Sequence, residues 1–253
     1  MSPGRRRWVF LAAALVLGVL LIAGFNGIPA FGHYRGPYGL ILDRREVRQR
    51  RATDVVTAVV FDYRGVDTMG EEFILFAAAI GVALLLRTTR EEEEREPGES
   101  AERRQRRAAS EAVRALGTAF VGLYIVLGLY VVTHGQLTPG GGFQGGAILA
   151  AAAIIVFLLA GHATFQRLTP MPLIDLSEGA AAAAFPAVGA LGLVAGSAFL
   201  ANVLPLGRPG DLLSAGTLPV LNLCVGLGVS AGFVLILSEF LQQTMVIRKR
   251  KPR

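Results

Sequence analysis

Two stretches of this chain, 11–23 and 180–199, run on without a single charged residue. A soluble helix needs polar side chains along one face, and a half-exposed strand needs them at every second position. These stretches supply neither. Composition agrees: 53% of the residues are hydrophobic and 17% are charged, against about 25% charged in a typical soluble domain. A water-soluble globular enzyme is excluded. A bilayer-crossing helix takes about 20 apolar residues, so six of them need about half of the 253 positions. The 31 glycines and the alanine runs suit helices that approach closely through small side chains.

The expected fold is an all-α integral membrane protein with about six transmembrane helices, at 8–25, 73–86, 115–132, 145–160, 179–203 and 218–237. The second span is short, and its helix is expected to start near Thr68. Charge falls in blocks between the spans, and nearly all the basic residues are arginine. Arg5, Arg6 and Arg7 argue for a cytoplasmic N-terminus, and six crossings return the basic C-terminus to the same side. The eight arginines of 87–114 agree. The arginines at 35, 44, 45, 48, 50, 51 and 64 conflict, because this count puts them outside; neutralisation by a partner subunit resolves the conflict. Residues 55–61 are too short to span. The first span reads as a retained helix, since its apolar stretch is longer than a signal-peptide core and no small-x-small cleavage site follows it.

Net charge is +6, but no basic patch is interleaved with aromatics, so no nucleic-acid partner is expected. Cys224 is the sole cysteine. No disulfide within the chain, metal motif or cofactor is expected. Residues 90–107 are nearly devoid of apolar side chains and read as a solvated tether. The tether divides the chain into a two-span unit (1–88), a charged cytoplasmic linker (89–112), a four-span unit (113–247) and a basic tail (248–253).

Two segments carry chemical information. In DVVTAVVFDYRGVDTMGEE, 54–72, the charged Asp62, Arg64, Asp67, Glu71 and Glu72 stand at a membrane boundary, where charge is costly unless paired or wetted. Arg64 is placed to pair with Asp62 or Asp67. One reading makes the acids caps, with Thr68 at the N-cap and Glu71 at N3. The other makes Glu71 or Glu72 a proton- or cation-handling carboxylate. The second segment is Thr138, Pro139, Gly140, Gly141, Gly142, Phe143, Gln144, Gly145 and Gly146. Five glycines in nine residues cannot propagate a helix, and Pro139 forces Thr138 out of helical geometry. A broken backbone beside a helix N-terminus follows, and such backbone survives at membrane depth only when buried in protein or beside water. It serves either close packing between subunits or backbone contact with an ion. It is no phosphate loop, because no Lys-Ser/Thr follows.

Other polar residues near the membrane are few: His134, Asp175, Glu178, Asn202, Asn222 and Glu239. Glu178 and Glu239 are expected at wet helix ends. Capping or interfacial solvation is the plainer reading for each, and an ion or proton path through Glu178 or His134 the sharper one.

The glycine-rich segment resembles the signature of the MnhB-type (MrpB) subunit of multisubunit Mrp Na+/H+ antiporters. Ser177-Glu178-Gly179 and LPVLNLCVGLGV, 218–229, are similar to the same domain, over roughly 113–245. The 54–71 segment resembles a second family, the C-terminal part of the large MrpA subunit and the MbhE component of energy-converting membrane-bound hydrogenases, over about 8–88. Asp54 stands where that family usually has Asn, Met69 where it has Leu, and Arg44 to Arg51 is a larger departure. The chain therefore looks like a fusion of two adjacent antiporter subunits.

The resemblance implies a non-enzymatic subunit of a hetero-oligomeric complex in a bacterial or archaeal cell membrane. Its partners would be other Mrp-type subunits, monovalent cations and protons. In such complexes the large subunits carry mid-membrane Lys and Glu; the spans of this chain contain no Lys, so exchange by this polypeptide alone is not expected. Asp62, Asp67, Glu71, Glu72, Glu178 and His134 are the path candidates. One rival is a membrane arm of a hydrogenase or related redox complex. Another is a self-sufficient transporter, which calls for inverted repeats with paired broken helices; the sequence shows one glycine-rich interruption.

Overall fold

The computed structural model describes residues 3–27, 36–91 and 111–249. Nine α-helices and no strand occur among them. Most of the charged linker (92–110) and the last four residues of the basic tail lie outside the described residues.

The chain forms two compact units, 1–41 and 42–253. In the first, α1 (Pro3–Asn26) has 24 residues. That is about 36 Å at 1.5 Å per residue, enough to cross a bilayer core. Helix α2 (Pro37–Arg50) begins in this unit and ends in the second. The second unit continues with the single turn α3 (Val55–Ala58), a π-helical turn at Val59–Tyr63, and α4 (Gly65–Glu91). Then come α5 (Glu111–Thr133), α6 (Gly142–Ala160), the short α7 (His162–Leu168), α8 (Met171–Val194) and α9 (Leu218–Lys249). Six helices are long and apolar enough to span a membrane: α1, α4, α5, α6, α8 and α9. The protein is an all-α, multi-pass integral membrane protein.

Helix α9 is the axis of the second unit. It packs on α6, α8 and α4, and 56% of its spanning window is buried, against 33% or less for every other span. Lipid gives helices no hydrophobic reason to associate, so close backbone approach must do it. Glycine makes the approach possible. A Cβ on Gly146 would lie 2.8 Å from the Gly226 carbonyl of α9, and one on Gly128 would lie 2.7 Å from Leu149 of α6. Around these contacts Phe61, Phe185, Leu218, Leu221, Val225 and Val229 form the main core.

Several boundaries differ from the sequence expectation: α9 runs on to Lys249 rather than ending at 237, α6 starts at Gly142 rather than 145, and two others follow from polar contacts or backbone geometry. Helix α4 starts at Gly65, and Thr68 lies inside it rather than at its N-cap. The Thr68 hydroxyl donates instead to the Val60 carbonyl (2.7 Å), within the π turn where the regular ladder is interrupted. The fifth span runs 171–194 rather than 179–203. It takes in Asp175 and Glu178, whose charge argues against helix at membrane depth, and it ends where Gly196 turns left-handed (φ 74°). Residues 195–217 form an irregular connection to α9.

Candidate functional site

Residues 138–141 break the chain between α5 and α6, whereas Gly142–Gly146, whose composition argues against a helix, form the start of α6 because close packing on α5 and α9 needs their small size. Gly140 (φ 153°) and Gly141 (φ 124°) occupy conformations that side-chain-bearing residues rarely adopt. The Gly142 N–H, an unpaired helix-start donor, donates to Asn222 Oδ1 of α9 at 2.8 Å. Asn222 is fully buried, so the loop is pinned from within the chain. Gly142, Gly145 and Gly146 likewise face α9 or α5, and their small size is used for packing inside this polypeptide.

Carbonyls just upstream of the glycines are taken by the other informative segment. Backbone N–H groups of Thr53 and Asp54 donate to the Gln136 carbonyl at 3.0 and 3.2 Å. Hydroxyls of Thr53 and Thr57 donate to the Leu137 and Gly135 carbonyls at 2.7 and 2.6 Å. Asp54 caps α3, accepting from the Thr57 N–H at 2.8 Å. The two segments, about 80 residues apart in sequence, are thus stitched side by side. Between them lies a cavity of about 110 Å³, lined by Thr57, Thr68, Glu71, Glu72, Gly140–Gly142, Phe143 and Gln144 among others.

From this cavity, ionisable groups continue through the helices. Glu72 is buried, and a Cβ on Gly228 of α9 would lie 2.6 Å from its Oε2. Glu178 of α8 is buried too (2% exposed), beside Gly232 of α9. Beyond it, at the far end of α4, the Arg87 guanidinium grips Asp175 through two bonds (3.0 and 2.9 Å) and Glu239 through a third (2.7 Å). Glu239 is 1% exposed. The expectation of wet helix ends for Glu178 and Glu239 is therefore wrong: both face the helix interior. Arg87 is no mere orientation charge, since it joins three helices in a forked ion-pair geometry.

The remaining candidates sit apart from this line. Asp62 is held by Arg50 (2.9 Å) and by the Asn202 amide (3.1 Å); burial raises its pKa, opposed by the Asn202 bond and the Arg50 charge. Arg64 pairs with Asp67 rather than Asp62, and that pair is exposed. His134 stacks on the Tyr130 ring (centroids 4.1 Å apart), with Nδ1 3.0 Å from the Tyr130 carbonyl; it does not line the cavity. One acid escaped notice in the sequence. Glu46, on the polar helix α2, is 2% exposed, and burial, with Asp43 and Asp54 nearby, pushes its pKa from 4.5 to about 7. Its arginine-rich surroundings mask it in the sequence. Among the described residues no cluster of His, Cys, Asp and Glu is placed to hold a metal.

Known proteins share this construction. Residues 112–235 match a family described as a domain related to the MnhB subunit of Na+/H+ antiporter. Uncharacterized protein MJ1307 of Methanocaldococcus jannaschii is 31% identical over 195 residues, which is 70% of this chain and 72% of that one. The chain belongs to one family with MJ1307, and its residues 112–235 form a domain related to the MnhB subunit. A chain of the membrane-bound sulfane sulfur reductase (MBS), an archaeal respiratory membrane complex, superposes with a TM-score of 0.73 at 29% identity, covering 93% of this chain and 98% of that one. A chain of the Mrp complex from Dietzia sp. DQ12-45-1b has the same fold, with a TM-score of 0.71 at 22% identity over 94% of this chain. That match spans 26% of the Mrp chain. Both structures are of multisubunit membrane complexes.

Proposed function

We propose that this MnhB-type subunit belongs to an Mrp-type antiporter complex that exchanges a monovalent cation such as Na+ for protons across a prokaryotic cell membrane, and that it contributes to assembly and to the ion route. The observation that carries this reading is the cavity in which the glycine-rich loop meets Glu71 and Glu72, with Glu178 buried beyond it. Acids inside a membrane bundle are expensive and are kept where they handle ions or protons. Asp62 and Asp67 are occupied in ion pairs and His134 lies off the cavity, so the route narrows to Glu71, Glu72 and Glu178. With both termini cytoplasmic, the cavity opens outward and the Arg87 cluster faces inward. The fusion of an MrpA C-terminal/MbhE-like part (1–88) with an MnhB-like part (113–247), joined by the charged linker, accords with the Dietzia likeness, where one longer chain matches 94% of this one. Inverted vesicles carrying the complex should show Na+-dependent proton movement, and Glu71→Ala should reduce it with assembly intact; unchanged flux removes Glu71 from the route.

A second reading has its own support. The full-length likeness to an MBS chain fits a membrane arm driven by electron transfer, with redox centres on other chains. The proteins that co-purify in mild detergent separate the two: iron–sulfur or reductase subunits favour the redox arm, and large antiporter-like subunits without them favour the antiporter.

A further inference from the structure

The middle of the bundle contains two carboxyl groups that ion pairing does not account for. Both oxygens of Glu178 and Oε1 of Glu72 are buried without a hydrogen-bond partner. The nearby cation is already engaged, since Arg87 spends its fork on Asp175 and Glu239. An uncompensated carboxylate at this depth is costly, and a bound proton or cation removes the cost. A hard cation needs a shell of oxygen ligands. In the notches the neighbours are apolar instead: Ala181 shares the Gly228 notch with Glu72, whose other side faces the cavity, and Leu75 shares the Gly232 notch with Glu178. A proton needs one oxygen only.

The glycines give the arrangement its order. Gly228 and Gly232 are four residues apart on α9, hence on one face and about 6 Å apart along the axis. The Gly228 notch receives Glu72 and the Gly232 notch receives Glu178; a Cβ at either would lie 2.6 and 3.3 Å from the respective carboxyl oxygen. Glu72 lies about 10 Å into α4 from the cavity end, and Glu178 about 10 Å into α8 from the opposite end. Asp175 is one turn before Glu178 on the same face of α8.

We propose that Glu72 and Glu178 are successive stations of a proton relay through this subunit, seated in the Gly228 and Gly232 notches, fed from the cavity through Glu71 and closed at the far end by the Arg87–Asp175–Glu239 cluster. In the transfer step the O–H bond of the Glu72 carboxyl breaks, and a new O–H bond forms on the Glu178 carboxylate. Glu72 is left ionised until the cavity returns a proton. The two notches are about one helical turn apart along α9, a gap that one bridging water can span. This deepens the proposed function by assigning the proton, rather than the cation, to these two groups.

The test uses the intact complex in proteoliposomes, with two readouts. Infrared spectra of the wild type should contain protonated-carboxyl bands that shift in D2O, weakened in Glu72→Gln and again in Glu178→Gln. Ion-driven proton flux should fall about tenfold or more in each variant, the scale of losing a positioned proton carrier. Glu178→Asp, which keeps a titratable group in the slot, should restore the band and part of the flux. Should Glu178→Gln fail to assemble, Glu72→Gln carries the same comparison. Bands unaltered by both Gln variants overturn the relay, as do full flux in an assembled Gln variant or an Asp variant no better than Gln. A wild-type complex without cation-driven flux would instead sink the antiporter reading, while the infrared comparison still decides the relay.

Discussion

Gly142→Ala is the sharpest perturbation of the loop, because everything its methyl group would meet is fixed. The added Cβ would stand 2.5 Å from the Asn222 carbonyl oxygen, 2.7 Å from Val225 Cβ and 2.8 Å from the Gly226 nitrogen. Ordinary contact begins near 3.4 Å, so the start of α6 must back away from α9 by about 1 Å, and no flexible side-chain tip can yield in its place. Overpacking of this kind costs about 1–3 kcal/mol. The same shift pulls the Gly142 N–H off Asn222 Oδ1, now 2.8 Å away, which costs about 1 kcal/mol more. The expected loss is therefore about 2–4 kcal/mol. Asn222→Ala should cost about 1–3 kcal/mol by orphaning that buried N–H. Because both variants break the same bond, the double variant should cost about 1 kcal/mol less than the sum. Gly122→Ala and Gly179→Ala are the controls, since a Cβ at either has nothing within 4 Å in this chain. Thermal challenge of the detergent-purified complex, followed by the fraction still eluting as assembled particle, ranks the five proteins. A Gly142→Ala complex as durable as the Gly122→Ala control, or strict additivity with Asn222→Ala, would refute the role assigned to the loop.

Two other variants probe a buried acid off the path and the cluster at its far end. Glu46 has its folded pKa raised from 4.5 to about 7, so the folded state binds the proton more tightly than the unfolded one. Its burden is absent below pH 4.5, grows as pH rises to about 7 and is complete above that. The gap amounts to about 3 kcal/mol, so Glu46→Gln should raise stability at about pH 8 and leave it nearly unchanged at pH 4.5; equal effects at both pH values would contradict the burial argument. Arg87→Leu withdraws the guanidinium from Asp175 and from the 1%-exposed Glu239. Breaking a fully buried pair by removing one partner costs about 3–5 kcal/mol; with Arg87 about one-third exposed the loss falls below that, but assembled complex should still be recovered in lower yield than with Arg87→Lys, and equal yields would show that the fork carries no structural weight.

Helix count and placement were legible because lipid imposes a coarse rule: about twenty apolar residues in a row must cross or be buried. That rule identified all six spans, and it failed where polar residues lie inside one. The acids of 175–178 moved the predicted start of α8 eight residues too late, since a lone sequence cannot reveal that Arg87, some ninety residues earlier, waits for Asp175. The predicted end ran nine residues too far, because residues 195–203 are as apolar as the helix they follow and only Gly196 signals the turn. The π turn at Val59–Tyr63 left no mark in hydropathy, and with it went the true role of Thr68.

The site was half visible for a related reason. Both informative segments were conspicuous, one for glycine and one for acids at a membrane boundary, but their adjacency depends on hydrogen bonds across about 80 residues to backbone carbonyls of 135–137, which any residue types there would offer. Glycine is the more instructive ambiguity. Gly226, Gly228 and Gly232 on α9 look alike in sequence, and packing of small residues explains all three equally well. In the fold they separate by what each lacks a Cβ for. Gly226 yields to Val132, an apolar neighbour, whereas Gly228 and Gly232 yield to carboxylate oxygens. A glycine that makes room for carbon tightens a bundle. One that makes room for a buried acid allows a titratable group to stand among helices, and two such glycines one turn apart turn a packing motif into a route.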